Sequence, residues 1–303
     1  MHTHVFLTMK TLIKQKTTIR YEESFMGKTK NLKKEFPSVL DIAYKRHLRD
    51  LSRFKEVKEI MSKDIATITP ETSMEDAVKI MGEKHVGSLI VTKYETPVGI
   101  IAERDLLTKV LAQGRDIKEE KVENVMSYPL ITICMTAKIK EAARMMIKKK
   151  GRLAVFECGK LVGIVTASDL IRSLPDVPET QIKVDNFMTK QLVTADENQS
   201  LGKVVKTMGE QRIGSVIVTR KAVPIGIFTE RDLLTTILAT GKSLSTLVGD
   251  HSSSPLVTVE EGTSIHKAAI TMKMKHVRRL PIIRGEKLTG IITARDLVEA
   301  YAK

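Results

Sequence analysis

The sequence has no tryptophan and only 4% aromatic residues, so it offers few flat faces on which nucleobases could stack. Its two cysteines, Cys134 and Cys158, cannot build a disulfide framework, and an intracellular, cytoplasmic chain is the expectation. No uncharged run approaches the roughly 20 residues that a membrane-crossing helix needs, so no membrane association is expected. Lys10, Lys14 and Lys16 interrupt the amino terminus, which does not read as a secretory leader. The seven histidines are scattered, and no His or Cys grouping has metal-ligand spacing. Gly27-Lys28-Thr29 imitates the end of a phosphate-binding loop, but Glu22 stands where that loop requires glycine. Neither a nucleophile elbow nor a dinucleotide fingerprint occurs. The expectation is a chain that is not an enzyme, with no catalytic residue, no metal and no required cofactor.

What is present is a globular composition over 303 residues, with 28% charged and 42% hydrophobic side chains. The formal net charge of +14 is unevenly spread. Residues 1–56 carry 13 basic and 6 acidic side chains, half of the surplus in less than a fifth of the chain.

The remainder is one unit written four times. Gly99-Ile-Ile-Ala-Glu-Arg-Asp105-Leu, Gly163-Ile-Val-Thr-Ala-Ser-Asp169-Leu, Gly226-Ile-Phe-Thr-Glu-Arg-Asp232-Leu and Gly290-Ile-Ile-Thr-Ala-Arg-Asp296-Leu all read strand, polar turn, helix. Their aspartates stand 64, 63 and 64 residues apart. A shift of 127 residues carries Met61 onto Met188, Gly87-Ser88 onto Gly214-Ser215 and Glu103-Arg-Asp-Leu-Leu107 onto Glu230-Arg-Asp-Leu-Leu234. Copies one and three are therefore one class, and copies two and four another. The duplicated unit is a pair.

Within copy one, Thr72-Ser-Met-Glu75 fits a capping box, and Met74, Ala77, Val78 and Met81 recur at helical spacing. Gly87-Ser88-Leu-Ile-Val-Thr92 and Pro97-Val-Gly-Ile-Ile101 read as neighbouring strands. A second helix opens at the aspartate, with Leu106, Leu107, Val110 and Leu111 on one face. The prediction is an α+β fold of β-α-β-β-α copies, each a small mixed sheet packed on two helices. About 60 residues enclose a core poorly, so each sheet is expected to pack on that of a partner copy.

These four endings in register, with the Met61-Ser and Met188-Thr entries, Val86-Gly-Ser-Leu-Ile-Val, Ile213-Gly-Ser-Val-Ile-Val and Arg278-Arg-Leu-Pro-Ile-Ile, resemble the cystathionine-β-synthase (CBS) domain family. The resemblance covers about 57–303 and implies two tandem CBS pairs. The first pair is 57–175, with copies about 57–120 and 121–175. The second is 183–303, with copies about 183–247 and 248–303, after a linker carrying Pro175 and Pro178. The arrangement is similar to stand-alone archaeal and bacterial CBS proteins and to the γ subunit of AMP-activated protein kinase. It implies an adenosine-containing ligand (AMP, ADP, ATP or S-adenosylmethionine) in clefts between paired copies, and a homodimer.

Thr-x-x-Asp at a helix entrance has two explanations. It can cap the helix, the hydroxyl accepting from a first-turn N–H and the carboxylate meeting the positive end of the dipole. It can also bind a nucleotide, with free N–H groups for phosphate and a carboxylate for ribose hydroxyls. The family resemblance implies the second for Thr166 and Asp169, Thr229 and Asp232, and Thr293 and Asp296. Copy one has Ala102 in place of threonine, which weakens the site at Asp105. Basic residues before the middle strand of the partner copy are expected to hold phosphate: Arg278 and Arg279 in copy four, Arg152 in copy two. The best-equipped site is expected to combine Thr229 and Asp232 with Arg278 and Arg279. Thr194 falls where relatives set backbone beside adenine. His85 and His276 sit near helix–strand turns, where either could face a ligand or simply end a turn.

Residues 1–56 belong to no repeat and are read as a basic extension with an amphipathic helix at about 38–54. The expected function is non-enzymatic signal transduction, sensing an adenosine ligand and reporting it to an unidentified regulated protein. The alternatives are a nucleic-acid-associated regulator using the basic extension, for which no nucleic-acid motif speaks, and a CBS dimerisation scaffold without ligand.

Overall fold

The computed structural model describes residues 56–149, 151–173 and 181–302. The expected helix at about 38–54 and nearly all of the proline linker lie outside the described residues. Copy one runs β1 (Thr67–Ile68), α1 (Met74–Glu83), β2 (Ser88–Lys93), β3 (Thr96–Ala102) and α2 (Glu103–Asp105), which continues as wider π turns over Leu106–Val110. Copy two follows with β4 (Thr132–Cys134), α3 (Ile139–Lys149), β5 (Leu153–Glu157), β6 (Lys160–Val165) and α4 (Ala167–Ser173). Copy three has β7 (Thr194–Asp196), α5 (Leu201–Glu210), β8 (Ser215–Arg220), β9 (Val223–Thr229) and α6 (Glu230–Asp232), again continuing as π turns over Leu233–Leu238. Copy four closes the chain with β10 (Val259–Glu260), α7 (Ile265–Lys275), β11 (Arg279–Arg284), β12 (Lys287–Thr293) and α8 (Ala294–Ala302).

Each copy holds a three-stranded mixed sheet, its first strand parallel to the middle one and its third antiparallel. This is the expected α+β unit. Helix α1 is capped by Ser73, whose hydroxyl accepts from Asp76 N at 3.1 Å, one residue later than the Thr72 pattern suggests. Its Met74, Ala77, Val78 and Met81 are buried as the spacing requires.

The signature glycines have a packing reason. The entry segment of copy one lies on β6 of copy two, with Ser62 N donating to Ile164 O at 2.9 Å. A Cβ at Gly163 would stand 2.6 Å from the sulfur of Met61. In return, Ser127 N of copy two donates to Ile100 O of β3 at 2.8 Å. The entry methionine of one copy and the strand glycine of its partner are thus one contact written twice.

The largest shared cores run between the pairs. Copies two and four form one cluster in which Ala143, Met146 and Leu170 join Ala269, Leu297 and Val298. Leu234 of copy three enters the core of copy one, and Leu107 of copy one enters that of copy three. The expectation of sheet against sheet missed this helical contact, which joins like copies across the pairs. The π turns lie on the copy one–three side. There Thr108 and Thr235 donate to the carbonyls of Arg104 and Arg231, each at 2.8 Å, a back-bonding that competes with the regular helical ladder.

Candidate functional site

All four aspartates cap their own turn. Oδ2 accepts from the backbone N of the residue three before it: Ala102 at 3.0 Å, Thr166 at 2.8 Å, Thr229 at 2.9 Å and Thr293 at 2.8 Å. The three threonine hydroxyls donate to the same oxygen at 2.6–2.8 Å, and Ala102 has none to give. One oxygen of each carboxylate is therefore committed to structure. The other decides what remains for a ligand.

That second oxygen differs between copies. Asp105 Oδ1 is held by Lys109 at 2.8 Å and Ser127 at 3.2 Å. Asp232 Oδ1 accepts from Ser253 of copy four at 3.4 Å, and Asp169 Oδ1 pairs with Arg172 on its own helix at 2.5 Å. Asp296 Oδ1 has no such partner among the described residues. Burial pushes the Asp296 and Asp232 carboxyls above their ordinary value, against the opposing donors of Thr293 and Thr229.

Two cavities lie between the copies. The first, about 340 Å³, sets Thr166 and Asp169 of copy two against Asp64–Ala66 and Gly87–Ser88 of copy one. Arg152, Arg231 and Arg278 reach it, as do both His85 and His276, each in the left-handed region after its helix. The second, about 390 Å³, sets Thr293 of copy four against Thr189, Gln191–Val193 and Ile213–Ser215 of copy three, with Arg152, Arg278 and Arg279 also lining it.

The structure divides the sequence-derived combination between the two cavities and the turn beside them. Arg278 lines both cavities and Arg279 the second, but Thr229 and Asp232 line neither. Ser252 and Ser253 of the copy four entry pack against β9 there, and Ser253 occupies the carboxylate. Arg279 does lie close enough to draw on the Asp232 charge, but its own hydrogen bond goes to Glu230. Asp105 and Thr194 also line neither cavity, although Val193, next to Thr194, lines the second. Thr166, Asp169 and Arg152 meet in the first cavity, while Asp296 lines neither but holds Thr293, which lines the second.

Sequence reasoning missed a buried cluster of glutamates and arginines. Glu103 and Glu230, among the few buried charged residues described, are ringed by arginines from three copies. Arg104 Nε donates to Glu230 Oε1 at 3.0 Å, and Arg279 Nη2 to its Oε2 at 3.2 Å. Arg231 Nη2 stands 3.2 Å from Glu103 Oε1, and Arg278 Nη2 donates to Oε2 at 3.4 Å. Burial alone would raise the Glu230 carboxyl, but Arg104 and Arg279 beside it hold it below the usual carboxylate range. Burial also pushes the guanidinium groups of Arg152, Arg231 and Arg279 down from their ordinary value. A side chain at Gly87 would collide with the Glu103 carboxyl, 2.7 Å from the added carbon. The signal was available: the tripeptide Glu-Arg-Asp occurs in copies one and three only, and a glutamate after a core strand needs a cation. Among the described residues no cluster of three or more His, Cys, Asp or Glu is arranged to hold a metal ion.

The CBS domain family model matches residues 57–112, 122–176, 184–239 and 248–303. The chain belongs to the CBS-domain family. It is 31% identical over 268 residues to an uncharacterized protein of Methanocaldococcus jannaschii, covering 81% of this chain and 62% of that one. The chain thus spans less than two thirds of that relative's length. It is also 31% identical over 114 residues to the CBS domain-containing protein YhcV of Bacillus subtilis, covering 38% of this chain and 81% of the other. A second M. jannaschii protein, described as a candidate archaeal homologue of the AMP-activated protein kinase γ subunit, superposes with a TM-score of 0.70. At 23% identity, over 82% of this chain and 100% of that one, the likeness is one of fold. Among the described residues no helix is long and apolar enough to cross a membrane.

Proposed function

We propose that this CBS protein is a non-enzymatic regulator whose clefts take an adenosine-containing ligand, an adenine nucleotide before S-adenosylmethionine. The observation that carries the reading is the first cavity, where Thr166 and Asp169 face the Gly87–Ser88 backbone with Arg152, Arg231 and Arg278 close by. A carboxylate suits ribose hydroxyls, and guanidinium groups suit phosphate. The sulfonium of S-adenosylmethionine would gain nothing from that arginine wall. A ligand seated there touches copies one and two together, so it favours the arrangement that binds it best and shifts the population accordingly. No bond need break. The reading extends to a cytoplasmic homodimer that passes this shift to a regulated partner protein.

The test is a thermal-melting screen of AMP, ADP, ATP and S-adenosylmethionine, followed by calorimetry on any ligand that raises the melting temperature. A rise with at least one nucleotide, reduced in Asp169→Ala, supports the reading. No shift with any of them at millimolar concentration sinks it. Light scattering of the same samples reads the oligomeric state with and without ligand.

A further inference from the structure

The two buried glutamates, both in the wall of the second cavity, hold arginines that line the clefts, and Arg278, held by Glu103, lines both. Arg231 and Arg278, the pair at Glu103, both line the first cavity; Arg104 and Arg279, the pair at Glu230, both line the second. We infer that Glu103 and Glu230 are built-in counter-anions that occupy these arginines while the clefts are empty and give them up to an incoming phosphate. Three features support this.

First, both carboxylates are more than nine-tenths buried, so they meet the arginines in a medium where charge competition is strong. Second, Glu103 is poorly satisfied. Its Oε1 lacks an aligned hydrogen bond although Arg231 is 3.2 Å away, Arg231 Nε also lacks one, and Arg278 reaches Oε2 only at 3.4 Å. Arg231, whose aligned hydrogen bond goes to the His85 carbonyl at 3.2 Å and not to Glu103, has much to gain from a doubly charged oxyanion. Third, both oxygens of Glu230 accept aligned hydrogen bonds, at 3.0 and 3.2 Å, whereas only one of Glu103 does, so the two glutamates are unequal. The first cavity should yield its arginines more readily than the second. Because Arg278 lines both, its capture in one cleft withdraws it from the other, and occupancy of the two is linked.

The inference deepens the nucleotide reading and rests on it for its biological ligand, yet its test does not require adenosine. Inorganic pyrophosphate and ADP are titrated by calorimetry into the full chain and into Glu103→Gln and Glu230→Gln. Glu103→Asp, which keeps the charge but shortens its reach, is a third variant against misfolding. Removing a competing carboxylate should tighten pyrophosphate binding on the order of tenfold, the equivalent of one charge-assisted hydrogen bond no longer broken. The aspartate should give a smaller gain in the same direction. Tighter pyrophosphate binding with no ADP response anywhere would support the counter-anions while removing the nucleotide reading. Unchanged or weaker pyrophosphate binding in folded variants, whatever ADP does, overturns the inference and gives the glutamates a structural role alone.

Discussion

Thr293 and Asp296 share a single carboxylate oxygen, which receives the threonine's backbone N at 2.8 Å and its hydroxyl at 2.7 Å. Those two donors favour the ionised acid, yet burial outweighs them and the carboxyl sits above its ordinary value. A carboxylic acid whose folded pKa exceeds its unfolded one stabilises the fold while protonated, and loses that contribution as pH rises through the folded pKa. A ribose hydroxyl that donates to Oδ1 needs the ionised form. A nucleotide at the copy three–four cleft that reaches Asp296 beside Thr293 should therefore release protons and bind more weakly as pH falls through the raised folded pKa. Calorimetry in two buffers of different ionisation enthalpy measures the released protons. In Asp296→Asn the release should vanish, and a release that persists in that variant would assign it elsewhere.

Asp169 and Asp232 should behave differently although the sequence writes them alike. Asp169 lines the first cavity and Asp232 lines neither, although the second oxygen of each is engaged, by Arg172 at 2.5 Å and by Ser253 at 3.4 Å. Asp169→Ala should abolish the part of the nucleotide-induced melting shift that belongs to the first cavity. Asp232→Ala should leave that shift in place and lower the unliganded stability by about 1 kcal/mol, through the lost cap on Thr229. The opposite pattern in a melting series would return the site to copies three and four as the sequence first suggested.

The contrast between those two residues shows where legibility ended. Repeat spacing, strand order and the helical faces were readable because each rests on local periodicity, as with Met74, Ala77, Val78 and Met81. The reason for Gly163 was half readable: the glycine was visible, but its contact with Met61 joins residues about a hundred positions apart. Which aspartate faces a cavity depends on contacts such as that of Ser253, an ordinary polar residue whose role appears only once the copies are assembled. The glutamate–arginine centre draws on copies one, three and four at once, so no single repeat reveals it. The π turns depend on how Leu107 and Leu234 cross into the opposite copy, which a pattern search for one helical face cannot see.

Copy one lacks the hydroxyl that donates to the aspartate in the other three turns and caps two of them, so Ala102→Thr should add one. The backbone there already donates to Asp105 at 3.0 Å, as Thr229 does to Asp232 at 2.9 Å. A threonine cap in place of alanine is worth about 1 kcal/mol, read as a higher midpoint in urea unfolding with an unchanged slope. A lower midpoint would mean that the buried site has no room for the added atoms.

Gly82 poses a contest between two effects whose sizes decide it. It lies inside α1, where alanine would favour the helix by about 1 kcal/mol. A Cβ there, however, would stand 2.5 Å from the Cβ of Ala239, at the end of the π turns of copy three. Both atoms sit on backbone that cannot swing aside, so one helix must move, and overpacking of that kind costs typically 1–3 kcal/mol. Gly82→Ala should thus be destabilising on balance, with copies one and three pressed apart. The companion change Ala239→Gly removes the opposing carbon, and the double variant should recover most of the loss. Strong coupling in that double-mutant cycle, measured by denaturant unfolding, marks the two residues as a direct contact. Additive effects would show that copies one and three do not meet there in solution.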